Sequence, residues 1–157
     1  MKGEKEYLPI HEQVVIEGGG TYKGYEYLIV FTQHGHRCGY VAIPDGLRVN
    51  SDDINCHGGV TFEDESHSAK DLLPTPCNDL WIGFDAAHWG DIACRKTSRK
   101  YFGHIEKAAK QISVLEEICK EITEMELADP QFSHKTYQYM ENECHNIIDQ
   151  LMESQAA

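Results

Sequence analysis

The spacing of apolar and polar positions changes once along this chain, near residue 100. Before that point apolar residues come in short, often β-branched runs bounded by glycine, proline or polar clusters. "EQVVIE" (12–17), "YEYLIVFT" (25–32), "CGYVAIP" (38–44), "GGVTFED" (58–64) and "LWIGFDA" (80–86) each read as a strand. "GGGTYKG" (18–24) reads as the turn joining the first two into a hairpin, because glycine accepts positive φ without steric cost. Pro44 stops the third run, since proline has no amide hydrogen to give to a ladder. "DGLRVNSDDIN" (45–55) reads as a loop and "ESHSAKDLLPTPCND" (65–79) as a polar excursion. Strands do not alternate with helices here, which favours an antiparallel sheet over a parallel one.

Past Arg99 the period becomes helical. Ile105, Ala108, Ile112, Leu115, Cys119 and Ile122 form one stripe at 3–4 spacing. "ADPQFSH" interrupts it, because the residue before Pro130 is pushed out of the α region. Ser133 is placed to cap a second helix. There Tyr137, Met140, Cys144, Ile147 and Leu151 repeat the stripe. The expectation is one α+β domain over 1–157. Residues 12–92 would form a mostly antiparallel sheet of about five strands. Residues 103–153 would form two C-terminal antiparallel helices, packed on the sheet or paired with a second copy as a homo-oligomer.

Composition narrows the function classes. Apolar residues make up 41% of 157, enough for a packed core. No run approaches the roughly 18–20 apolar residues of a membrane span. "MKGEKEYLPIHEQ" lacks a signal-peptide pattern, so a soluble cytoplasmic protein is expected. A net charge of −12 repels phosphate backbones and argues against general nucleic-acid binding. The acid is uneven: from His104 onward eleven Asp and Glu face four Lys. By contrast, "CRKTSRKYFGH" carries Arg95, Lys96, Arg99 and Lys100 without an acid. That island reads as a solvated loop or as a contact for one small anion. The six cysteines (Cys38, Cys56, Cys77, Cys94, Cys119, Cys144) are scattered, form no CxxC pair and read as reduced thiols.

Three segments carry candidate chemistry. In "FTQHGHRCGY", His34 and His36 flank a turn glycine, and Cys38 follows. Arg37 and the two imidazoles could activate that thiol, although a buried structural cysteine on a strand is the safer reading. In "NCHGGVTF", His57 precedes Gly58 and Gly59, whose amides could cradle an anion, with Thr61 further along; a tight turn capped by His57 is the plain alternative. In "DLWIGFDAAHWGD", Asp85, His88 and Asp91 fall within seven positions at a strand end. They suit Asp–His acid–base catalysis, with His88 and Asp85 as the catalytic pair. They also suit a divalent metal held by His57, Asp85, His88 and Asp91. Glu63, Asp64 and Glu65 could add carboxylate. The plain alternative has Asp85 capping the turn and His88 semi-buried and satisfied. Trp81, Phe84 and Trp89 could stack on a base.

Four segments in order, "HRCGYVAIP", "HGGVTF", "WIGFDAAHWGD" and "YMENECHNIIDQL", resemble a family of small uncharacterised proteins encoded by phages, prophages and some bacterial genomes. Members of that family read H-x-C-G-Y-V-x-V-P, H-G-G-[LV]-T-[FY], W-x-G-F-D-x-A-H-x-G-D and a final amphipathic helix ending in Q-L. The resemblance spans about residues 25–152. Cys38, Gly39, Tyr40, His57, Gly58, Gly59, Asp85, His88 and Asp91 fall on family positions. The chain departs at Ala86, where many members carry cysteine, which weakens a thiol mechanism at the strand end. His34 lies outside the pattern, which weakens a double-histidine metal site. The family brings no settled activity. The resemblance implies a non-structural phage accessory protein, acting in the host cytoplasm against host defence.

Taken together, the expected site is a sheet-end pocket of His57, Gly58, Gly59, Thr61, Asp85, His88, Trp89 and Asp91, with Cys38 and Tyr40 along one wall. The leading function is capture of a small polar, nucleotide-like ligand. The competing classes are a metal-dependent hydrolase using Asp85, His88 and Asp91, and an acidic protein that docks on a basic partner.

Overall fold

A computed structural model describes residues 7–8, 11–44, 46–64 and 80–156. The polar excursion 65–79, with Glu65 and Cys77, lies outside the described residues. Among the described residues six strands build one sheet: β1 (Tyr7–Leu8), β2 (His11–Tyr22), β3 (Tyr25–Thr32), β4 (Arg37–Ile43), β5 (Phe62–Asp64) and β6 (Leu80–Asp85). Their spatial order is β1-β2-β3-β4-β6-β5, and every pairing is antiparallel. Among the described residues three α-helices follow: α1 (Arg95–Phe102), α2 (Glu106–Ala128) and α3 (Tyr137–Ala156). The α+β class is therefore as expected. No helix among the described residues is long and apolar enough to cross a membrane.

The first hairpin turns later than its glycines suggest. Gly18, Gly19 and Gly20 are strand residues paired with Ile29, Leu28 and Tyr27. The turn itself is Lys23–Gly24, with φ of 49° and 86°. Two successive positive φ values give the type of turn that matches strand twist. Gly18 is small for a different reason: a Cβ there would sit 2.5 Å from the Tyr137 hydroxyl of α3. The register shifts at Glu17, between Ile16 and Gly18. That bulge frees Glu17 to take a bidentate pair from Arg37, at 2.5 and 3.1 Å, and a 2.7 Å hydrogen bond from the Tyr101 hydroxyl.

Alternation along the strands sorts side chains onto two faces. One face carries Tyr25, Tyr27, Ile29, Val41, Ile43, Ile82 and Phe84. α3 covers it with Met140, Cys144, Ile147, Ile148 and Leu151, all buried, so the second helical stripe is used along its whole length. The other face gathers Val30, Tyr40, Ala42 and Trp81. The basic segment expected as a loop is helix α1, anchored by buried Phe102 and Ser98. α2 joins it by burying Ala108 and Ile112 against Val15, Phe31 and Phe102. The two C-terminal helices are thus present but attach to different parts of the domain. α2 packs with α1, while α3 lies across the sheet. Thr136, rather than Ser133, caps α3, its hydroxyl accepting the Tyr139 amide at 3.1 Å. Ser133 instead forms a β-bridge with Asp91.

The contact between α3 and the sheet is tight enough to be probed from both sides. Ile147→Ala opens a void in a fully buried position and should cost about 2–5 kcal/mol. Gly39→Ala places a methyl 2.5 Å from Phe84 and 3.0 Å from the Cys144 sulfur. It should cost about 1–3 kcal/mol. Urea denaturation measures both, and a loss below about 1 kcal/mol for Ile147→Ala would contradict this packing.

Candidate functional site

β6 ends at Asp85, and the chain then turns sharply through Ala87–Gly90. The turn is held from within. Asp85 accepts the Ala87 amide at 3.1 Å and Asp91 accepts the His88 amide at 3.0 Å, short-range closures that aspartate favours. Gly90, with φ of 92°, lets the chain swing back so that its carbonyl accepts the Ser133 amide at 3.0 Å. Asp91 is thereby buried beside the segment leading into α3.

His57 reaches the same place from a separate loop. α3 bears, next to its apolar row, a polar row at Tyr139, Glu143, Asn146 and Gln150. This row fastens the loop. Glu143 accepts the His57 amide at 2.8 Å, Gln150 accepts the Asn55 amide at 2.8 Å, and the Asn146 and Gln150 side chains donate to the Asn55 carbonyl. The ring of His57 is then fixed at both nitrogens: Nε2 lies 2.7 Å from Asp91 Oδ2 and Nδ1 lies 2.9 Å from the Tyr139 hydroxyl. An ionised carboxylate only accepts, so Nε2 carries the proton that faces Asp91. Lys135 Nζ completes the cluster, 3.0 Å from Asp91 Oδ1.

These contacts set the charge of the site. Burial pushes the Asp91 carboxyl upward, but the hydrogen bonds from His57, the His88 amide and Lys135 outweigh it and hold the group below the usual carboxylate range. Burial raises the Tyr139 phenol, with the charges of Glu143 and Asp91 adding to it. Burial also lowers His36, only partly offset by its hydrogen bond to the Ala86 backbone.

The second dyad sits at the rim. His88 Nε2 lies 3.2 Å from Asp85 Oδ1, while Thr61 donates to Asp85 Oδ2 at 2.9 Å. The rings of His57 and His88 are 6.1 Å apart, centroid to centroid. His88 lies over Gly58, where a Cβ would meet its Nε2 at 2.2 Å and where φ is 70°. Glycine is needed there on both counts. Beside Asp85 a cleft of about 250 Å³ opens on the second face of the sheet, lined by Cys38, Tyr40, Thr61, Phe62, Phe84 and Asp85. Tyr40 meets Phe62 edge-on at 5.2 Å.

The expected convergence of His57, Gly58, Thr61, Asp85, His88 and Asp91 is present, and Cys38 and Tyr40 do wall the cleft. Other expectations change. Among the described residues no three His, Cys, Asp or Glu side chains form a group able to hold a metal ion. The set His57, Asp85, His88 and Asp91 is instead divided into two pairs whose polar atoms face each other. Burial, then the Asp85 charge, push the Cys38 thiol up to about 12, and the neighbouring Tyr40 hydroxyl only partly offsets this, which disfavours the thiolate form a nucleophile needs. The five described cysteines are free thiols. Gly59 does not present its amide to an anion, because that amide donates to Cys56 at 2.9 Å. Trp81 is buried in the second face, and Trp89 is 75% exposed beside Phe132. Phe84 lines the cleft, but its side chain is buried in the α3-facing core. Glu63 turns away to accept from Ser51 at 2.8 Å. The basic island opens elsewhere: Lys96, Arg99 and Lys100 line a separate wide cleft of about 730 Å³. Arg95 donates to the His34 carbonyl at 2.5 Å, and Arg99 pairs with Glu116.

Tyr139, Glu143 and Lys135 were not anticipated. The signal for the first two lies in the sequence as a polar i, i+4 pair flanking the buried stripe of α3. Lys135 carries no such signal. The chain matches no protein-family model, no curated protein sequence and no solved structure.

Because the folded-state carboxyl of Asp91 sits below its unfolded value of 3.8, its contribution is present above about pH 4 and is lost as pH falls through the folded value. Asp91→Asn should therefore be less stable than the parent at pH 7, with the gap closing below about pH 4. Urea titrations between pH 3 and pH 7 measure this, and a gap independent of pH would show that the charge of Asp91 contributes nothing.

Proposed function

We propose that this protein binds a small polar, nucleobase-like ligand at the Asp85 cleft. One observation carries the reading: Asp85 and Thr61 converge on a cleft walled by Tyr40 and Phe62, with His88 held 3.2 Å from the same carboxylate. A carboxylate oxygen engaged once keeps a second lone pair, so Asp85 can still accept from a ligand. An amide-and-amine edge, as on guanine, offers the complementary N–H donors, and aromatic walls suit a planar ring. About 250 Å³ suits a base or nucleoside rather than a larger cofactor. Among the described residues no cation lines this cleft, so the recognised part is the base and not a phosphate. Ligand capture is a role that fits the phage accessory setting implied by the motif resemblance.

Hydrolysis is the second reading. It rests on the approach of the His88 imidazole to the Asp85 carboxylate, 3.2 Å apart without a hydrogen bond between them, two groups of the kind acid–base work uses.

Thermal melts with the free nucleobases and with guanosine, cytidine, adenosine and uridine test both. At about 100-fold excess over Kd a binder gains about 2.7 kcal/mol, visible as a rise in Tm without product on chromatography. Asp85→Asn should weaken binding by about tenfold or more, as expected for a charge-assisted hydrogen bond, with the ligand-free Tm nearly unchanged. Absence of a shift with every base and nucleoside overturns the binding reading. Product formation that His88→Ala abolishes establishes hydrolysis in its place.

A further inference from the structure

α2 is built for more than its own core. Its first turns bury Ala108 and Ile112, but beyond Leu115 the apolar positions rotate off the domain. Val114, Ile118, Ile122 and Met125 recur at 3–4 spacing along one side of the helix. Ile118 is 68% exposed, Ile122 57% and Met125 74%. A contiguous exposed stripe of large aliphatic side chains differs from the scattered apolar residues that any surface carries, and it marks a contact face.

The surrounding charge says what fits. Glu117, Glu121 and Glu124 run along one border of the stripe at 3–4 spacing and Glu126 lies on the other, with Lys120 the single cation of residues 114–128. The last turn of α2 holds no basic residue. Acidic side chains therefore stand at the negative end of the helix dipole, where cations are favoured. A second copy of the chain, at net −12, would bring the same acid against this acid.

We propose that the outer half of α2 is a docking surface for a basic amphipathic helix of another protein. The partner's apolar side chains would cover Val114, Ile118, Ile122 and Met125, and its Lys or Arg residues would meet Glu117, Glu121, Glu124 and Glu126. This is the helix-in-groove mode, read from anchors at i, i+3, i+4 and i+7. It is independent of the Asp85 cleft, which lies on the sheet.

Two helical peptides of one apolar pattern test it, one with lysine and one with glutamate at the polar positions, titrated onto the intact chain by calorimetry. The lysine peptide should bind one to one and the glutamate peptide should not. The decisive variant is Ile118→Asp with Ile122→Asp. It adds negative charge, so simple charge attraction predicts tighter binding, whereas covering of the stripe predicts a loss of more than about tenfold. Both positions are exposed, and unchanged circular dichroism confirms that the fold is kept. Glu121→Lys should weaken binding, and Glu153→Lys, on α3, should not. Equal or tighter binding by the double variant overturns the proposal. So does binding of neither peptide, and so does a parent chain that sediments as a dimer and becomes monomeric with Ile118→Asp, since a second copy would then be the occupant.

Discussion

A carboxylate taken out of water has to find its partners within the protein, and Asp91 finds three. His57 comes from the loop before β5, the His88 amide from the turn after β6, and Lys135 from the approach to α3. Removing any partner would leave charge or donors buried and unpaired, at a cost of about 3–5 kcal/mol for a broken buried pair. That requirement makes one assembly of segments that have little else in common. It also orients the imidazole of His57, which in turn meets the Tyr139 hydroxyl. Most of the local geometry follows from it, including the position of His88 over Gly58.

α3 makes this arrangement rigid. Its apolar row supplies burial against the sheet, and the adjacent polar row receives the loop carrying His57. One helix thus spends its hydrophobic face on stability and its neighbouring face on placing a functional loop. Histidine and carboxylate groups end up on both sides of the strand end. The His57–Asp91 pair lies toward α3, and Asp85 lies toward the opposite cleft, with His88 between them. The inner pair is engaged on every side by protein partners, His57, Lys135, Tyr139 and the His88 amide, so open chemistry belongs to the outer one.

The legible parts were those where periodicity and burial agree. All five residues of the α3 stripe enter the core, Tyr137 partly. Strands β3, β4 and β6 appear within a residue or two of where their alternation places them. The misreadings have local causes. Three glycines look like a turn, yet Gly18 is small because Tyr137 passes over it. The basic segment 95–100 looks like a loop because its two anchors, Ser98 and Phe102, are too few to show a period. The α2 stripe looks uniform, although only its first half meets the domain. Lys135 was invisible because its partner lies far away in the chain, and no spacing rule connects them.

Residue order alone determined what depends on near neighbours: the change of period near residue 100, the antiparallel class, the gathering of Asp85, His88 and Asp91, and the acidic amphipathic character of the second half. Those properties are set by steric preference and hydrophobic spacing over a few residues. Tertiary structure decided how the polar groups are shared. It joined His57 to Asp91 and His88 to Asp85, directed the basic island to another cleft, raised the Cys38 thiol by burial, and left the outer half of α2 uncovered. Hydrogen bonds and desolvation act over a few ångströms in space, and only the folded chain brings residues 57, 91, 135 and 139 that close.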